Sequence, residues 1–230
     1  AGQIDKAAGF FLKLPAFLRT QSVLIKRRAQ YLLMQKKYKD VLNQLENVDF
    51  TVSEWRQDMV ELFRETCFAW AVDLKNRGEN KKAVKAIYRY SMLPSALRLM
   101  DEKAFTNSAA YYLLLLWGEK KDWRGRSIAH EIRNEALYFE LFTDVKYYYT
   151  FARCLELTGN NKRAESIYKQ MLVFSNKCDI NYPYMKNWWT MLRALAYKGQ
   201  AKKEKAGKLL KICLDSPNPQ PFLEFELESL

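Results

Sequence analysis

The chain has 230 residues, 49% of them hydrophobic and 28% charged, with 38 Lys and Arg against 26 Asp and Glu. That is enough apolar material for one sizeable core or a short array of repeating units, and no run reaches the roughly 18 apolar residues of a membrane span. The formal charge of +12 raises the local concentration of acidic partners, whether nucleic acid, anionic lipid or peptide, so it fixes their sign and not their identity.

In chain order, the basic segment "GFFLKLPAFLRTQSVLIKRR" comes first. Residues 1–20 are read as an N-terminal cap over the open end of a helical array or as a membrane-proximal segment with apolar residues around Lys13 and Arg19. Because the sequence begins Ala1–Gly2, a processed or trimmed product is expected. Next, "SEWRQDMVELFRETCFAWAVDLKNR" carries Trp55, Met59, Leu62, Phe63, Cys67, Trp70, Ala71 and Leu74 at spacings of three and four, which is a helical face. Ser53 is a partial cap, with Arg56 where a capping box wants Glu. Further on, "DVKYYYTFARCLEL" and "INYPYMKNWWTMLRAL" are each read as one helix with more aromatic residues than a core face absorbs. At the end, "FLEFELESL" is the one hint of strand-like alternation, within a terminal extension (218–230) that either folds back on the apolar end or forms a tail. Its Glu224, Glu226 and Glu228 stand without a base, whereas residues 1–42 hold nine Lys and Arg, so the two ends are candidates for mutual attraction.

A repeated spacing organises the middle. Ala71, Leu74, Gly78, Ala83 and Ile87 recur interval for interval as Ala152, Leu155, Gly159, Ala164 and Tyr168. The same template fits Ala29, Leu32, Lys36, Val41 and Leu45, and also Ala194, Tyr197, Ala201, Ala206 and Leu210, where Gly199 is read as breaking the helix two residues early. A looser copy runs through Leu113, Leu116, Lys120, Gly125 and Ala129. Starting points at 29, 71, 113, 152 and 194 make the period 39 to 42 residues, and Pro94 and Pro217 close two of the copies at equivalent places. In physical terms, Gly159 supplies the left-handed residue that ends one helix, Ala164 permits close approach of the next, and Tyr168 fills the space one turn later.

These residues resemble the tetratricopeptide repeat family over about residues 20–220, although the family's period is about 34. The resemblance implies an all-α fold, a right-handed α-α superhelix of about five helix pairs, with repeats over 21–217 of a single 1–230 domain. It also implies groove-facing positions three before, one after and four after the small residue of each first helix. These are Lys26, Gln30 and Leu33; Phe68, Val72 and Lys75; Ala110, Leu114 and Trp117; Tyr149, Arg153 and Glu156; and Met191, Leu195 and Lys198. Of these, Lys26, Phe68, Lys75, Trp117, Tyr149, Arg153 and Lys198 are the expected partner-binding residues.

Catalytic signals are absent from the sequence. There is no G-x-x-x-x-G-K-[ST], G-x-G-x-x-G or G-x-S-x-G, His130 has no nucleophile in a recognisable motif, and Glu61 and Glu65 read as helix-surface carboxylates offset by Arg64. No enzyme activity is expected. Cys67, Cys154, Cys178 and Cys213 lie far apart without a C-x-x-C pair, so no metal and no cofactor is expected; three of them fall in apolar periodic segments, where a buried free thiol is the ordinary state. The expected function is a protein–protein scaffold, adaptor or regulatory module that takes an acidic partner protein or peptide in an aromatic and basic groove. The alternative is a nucleic-acid-associated or ligand-sensing repeat domain of a transcriptional regulator, based on "LIKRRAQ" and "KGQAKKEKAGKLLK", although the varied aligned positions lack a base-reading code. The compartment is open: cytoplasm, or the soluble part of a membrane-anchored protein.

Overall fold

The structure is a computed structural model, and it describes residues 13, 15, 21–47, 53–94, 97, 108–118, 145–215 and 220–230, with the backbone alone for 53–57 and 91. Among the described residues every regular element is helical. These are α1 (Ser22–Met34), α2 (Tyr38–Glu46), α3 (Ser53–Asn76), α4 (Asn80–Ser91), α5 (Ser108–Leu116), α6 (Val145–Leu157), α7 (Asn161–Asn181), α8 (Lys186–Gly199), α9 (Lys203–Leu214) and α10 (Pro221–Glu228), with a 3-10 turn at Pro183–Met185 between α7 and α8. No described helix is long and apolar enough to cross a membrane. His130, Lys120, Gly125, Ala129, Pro217 and all of the 1–20 segment except 13 and 15 lie outside the described residues.

The helices are paired by one turn used again and again. Lys36, Gly78, Gly118, Gly159 and Ala201 all have positive φ, between 57° and 90°. At four of them the same two hydrogen bonds close the helix. The amide of the left-handed residue donates three residues back (Gly78 to Lys75 O, 2.9 Å; Gly159 to Glu156 O, 3.0 Å), and the next amide donates five back (Glu79 to Leu74 O, 2.9 Å; Asn160 to Leu155 O, 2.8 Å). Lys36/Lys37 and Ala201/Lys202 repeat the pattern, which is the Schellman arrangement that satisfies a helix's orphan carbonyls. The following residue caps the next helix through its backbone alone, with φ from −82° to −91° and ψ from 53° to 63° at Lys37, Glu79, Asn160 and Lys202. Its carbonyl accepts from the amide of Val41, Ala83, Ala164 or Ala206. Those four residues, and Ala29, Ala71, Ala152 and Ala194 across from them, are all fully buried.

In the third copy the left-handed residue among those described is Gly118, two residues before Lys120, where the template put the turn and which lies outside the described residues; left-handed residues thus recur every 40 to 42 residues. One expectation changes. Gly199 does not end α8; Ala201 carries the turn, in line with the template. Gly199 serves packing instead, because a Cβ there would stand 2.2 Å from the Tyr168 ring.

The chain divides into two compact units, the first within Ala1–Glu102 together with Asn218–Phe222 and the second within Lys103–Pro217 together with Leu223–Leu230. In the first, α1 packs on α2 and α3, α2 on α3, and α3 on α4, around Val41, Leu45, Phe63, Cys67, Ala71 and Ile87. Ion pairs Lys26–Asp58 and Arg89–Glu46 tie α1 to α3 and α4 to α2. In the second, α5 lies on α6, α6 on α7 and α8, α7 on α8, and α8 on α9. Helix α5 is apolar all round and is buried from Ser108 to Leu115, as a helix without a polar face must be.

The aromatic stretches also resolve differently from expectation. "INYPYMKNWWTMLRAL" is not one helix: α7 stops at Asn181, and α8 begins only after the Pro183–Met185 turn. There the buried Trp189 indole donates to the Tyr182 carbonyl at 3.0 Å. Tyr148, Tyr149 and Phe151 of α6 all fit inside the core. Cys67, Cys154 and Cys178 are buried free thiols, and Cys213 is half-buried with its thiol pushed up to about 11 by burial.

Because an L-residue in the left-handed region costs about 1–2 kcal/mol, Gly78→Ala and Gly159→Ala are each expected to destabilise the fold by about 1 kcal/mol, while Lys36→Gly and Ala201→Gly leave it unchanged or more stable. Chemical denaturation midpoints check this; a loss at Lys36→Gly as large as at Gly78→Ala would contradict the shared turn.

Candidate functional site

The "FLEFELESL" stretch is helical, not strand-like: it forms α10 and, from Leu223 on, packs within the second unit. Its central residue Glu226 is fully buried. The Tyr149 hydroxyl of α6 donates to Glu226 Oε2 at 2.6 Å, and the Lys198 ammonium of α8 sits 2.8 Å from the same oxygen. Lys198 also donates to the Glu226 carbonyl and, at 2.5 Å, to Ser229 Oγ. Lys203, at the start of α9, donates to the Leu230 main-chain oxygen.

Helical geometry puts Tyr149 and Lys198 one turn from a buried alanine. Tyr149 lies three residues before Ala152, and Lys198 four after Ala194, so both project from the faces that pack α6 and α8. Arg153 joins them. Its guanidinium lies 5.8 Å from the Tyr112 ring centroid and pairs with Glu156, which in turn accepts from the Tyr168 hydroxyl at 3.2 Å. The rings of Tyr112 and Tyr149 meet edge to face with centroids 6.2 Å apart. The result is a polar pocket walled by three tyrosines, with two cations and two carboxylates inside, one of the carboxylates supplied by α10.

The electrostatics follow from burial. Desolvation raises the Tyr112, Tyr149 and Tyr168 hydroxyls well above their ordinary value of 10, helped at the first two by the Glu226 charge and at Tyr168 by Glu156. Burial lowers the Lys198 ammonium, with Glu226 opposing. Burying the Lys198–Glu226 pair is close to neutral overall, because lost hydration offsets the attraction, whereas removing one partner is costly.

Three of the seven expected partner-binding residues, Tyr149, Arg153 and Lys198, therefore meet in one place. Trp117 is half-buried just past the end of α5. Tyr112 was missed, and the Gly118 turn would have found it: a register two residues earlier puts Tyr112 where the template had Leu114. The remaining residues lie in the first unit. Lys26 is paired with Asp58, Lys75 is half-buried, and Phe68 is buried edge-on against Phe222 at 5.3 Å between centroids. Glu65, read as a surface carboxylate, is buried there and accepts from the Phe222 amide at 3.0 Å, neutralising an orphan donor at a helix N-terminus.

The first unit also has a concavity of about 470 Å³ lined by Lys39, Trp70, Arg77, Lys82, Lys85 and Arg89 among others. Arg77, Lys82 and Arg89 are held by Asp73, Glu79 and Glu46, while Lys39 and Lys85 make no ion pair among the described residues. No family model, curated protein or solved structure matches the chain.

Two measurements probe the tyrosine pocket. Since the folded state holds the three hydroxyls protonated while the unfolded chain ionises them near pH 10, their stabilising contribution is complete below that pH and is lost as pH rises beyond it. The melting temperature is expected to fall above pH 10, with part of the tyrosinate absorbance appearing only on unfolding. Separately, Lys198→Met is expected to cost roughly 3–5 kcal/mol, and the Lys198→Met/Glu226→Leu double variant to recover most of it, in a denaturation cycle.

Proposed function

We propose that the chain is a helical-repeat adaptor, tetratricopeptide-like in its turns, whose second unit takes a helical segment of mixed apolar and acidic character from a partner protein. The observation that carries this reading is the burial of Glu226 between Tyr149 and Lys198: the positions assigned to partner binding hold a carboxylate presented by a short helix. Helix-in-groove recognition works in this way, with apolar anchors for affinity and a placed charge for orientation. The surrounding surface of α8 and α9, with Lys198, Lys202, Lys203, Lys205 and Lys208, supplies the long-range attraction for such a segment.

A second reading rests on the Trp70 concavity, where Lys39 and Lys85 flank an indole. There the chain would hold an anionic ligand, including a nucleic-acid strand stacked on the ring. The two readings separate by competition. From a display library of helical peptides selected on the full chain, the adaptor reading expects carboxylate-bearing amphipathic sequences that lose at least tenfold in affinity against Lys198→Glu and are indifferent to Trp70→Ala. Enrichment insensitive to Lys198→Glu, or binding confined to nucleic acid with a steep salt dependence, would count against it.

A further inference from the structure

We infer that α10 is a resident stand-in for the partner, so that the partner engages the second unit by displacing Leu223–Leu230 and placing a carboxylate of its own between Tyr149 and Lys198. The inference rests on the adaptor reading and adds to it the chemistry of the partner and the control of the site.

Three features make α10 exchangeable. It has eight residues, short of the roughly 12–15 at which an isolated helix begins to hold itself together, so its helicity depends on being docked. Beyond the buried Phe222 and Leu223 its anchoring is polar: the single residue Lys198 contacts the Glu226 carboxylate, which Tyr149 also meets, the Glu226 carbonyl and Ser229 Oγ, and Lys203 holds the Leu230 oxygen. A buried ion pair stabilises little beyond the hydration it gives up, and the Lys203 contact is exposed, where water replaces it at small cost. The match is also incomplete. Glu226 Oε1 and Arg153 Nε are buried with no hydrogen-bond partner among the described residues, and an unmet acceptor and donor in one pocket lower the cost of letting α10 go.

The same contacts state what a replacement must bring. A helix of any sequence supplies apolar area, but only a carboxylate accepts from the Tyr149 hydroxyl and also neutralises the Lys198 ammonium at the same oxygen. An amide oxygen could accept both hydrogen bonds but would leave the ammonium buried without a counter-charge.

The test uses the full chain and two labelled synthetic peptides with the sequence of residues 218–230, one native and one with Gln in place of the glutamate equivalent to Glu226. Anisotropy titrations are run with the wild-type chain, with Glu226→Gln, and with Lys203→Ser/Ser229→Ala, which loosens α10 while keeping the Tyr149 and Lys198 contacts to the Glu226 carboxylate. Expected are weak binding of the native peptide to wild type, binding at least about tenfold tighter to Glu226→Gln, a smaller gain for Lys203→Ser/Ser229→Ala, and little binding of the Gln peptide to any chain. A concentration-dependent dimer of the wild-type chain that Lys198→Met abolishes carries the same meaning, because α10 then leaves one groove for another. If neither loosened variant, folded by circular dichroism, binds the native peptide better than wild type, or if the Gln peptide binds as well as the native one, the inference is overturned. Should library selection still yield Lys198-dependent peptides in that event, the adaptor reading stands and only the role of α10 falls.

Discussion

The helix pairs depend on a single backbone constraint, a residue held in the left-handed region at the end of each first helix. Once that residue is placed, two amide hydrogen bonds close the helix behind it, the next residue's carbonyl opens the following one, and the chain reverses within three residues. The reversal brings an alanine of the first helix against an alanine or valine of the second, both fully buried. Small residues there are a consequence of the tight turn, since a larger side chain would hold the two axes apart. Lysine and alanine occupy the strained position at Lys36 and Ala201, so the turn is enforced by the packing around it and not by glycine alone.

The polar pocket of the second unit grows out of that same geometry. Tyr168 lies on α7 four residues beyond the buried Ala164, and its ring fits against α8 only because residue 199 has no Cβ. Its hydroxyl reaches Glu156 on α6, which holds Arg153, and Arg153 faces Tyr112 from α5. Helices α5, α6, α7 and α8 thus converge on a site in which both cations, Arg153 and Lys198, have a carboxylate. One of those carboxylates is Glu226, the only contribution not made by the repeats themselves.

Most of the helical organisation was legible in the sequence because it is local. Four of the five turns fall on the positions picked by interval matching, since Schellman closure and small-residue contact involve residues within a dozen of one another. In the third copy the template carried the turn to Lys120, outside the described residues, while α5 ends just before the left-handed Gly118; α5 is apolar on all sides, so hydrophobic periodicity offers no phase there. The run from Asn181 to Met185 was read through as helix because its aromatics keep a helical spacing across Tyr182, whose carbonyl is in fact taken up by Trp189.

The site divides along the same line. Sequence spacing placed Tyr149 and Arg153 three before and one after Ala152, and Lys198 four after Ala194, each within about a turn of a small residue, because a helix converts residue number into direction. It determined nothing about what faces them. That was decided by tertiary structure, through a hydrogen bond spanning 77 residues between Tyr149 and Glu226 and through the burial of a glutamate whose surroundings in the chain, "FLEFELESL", read equally well as alternation or as tail. Eight residues are too few to fix their own conformation; Tyr149 and Lys198 settle it by giving a buried carboxylate partners that make its burial tolerable.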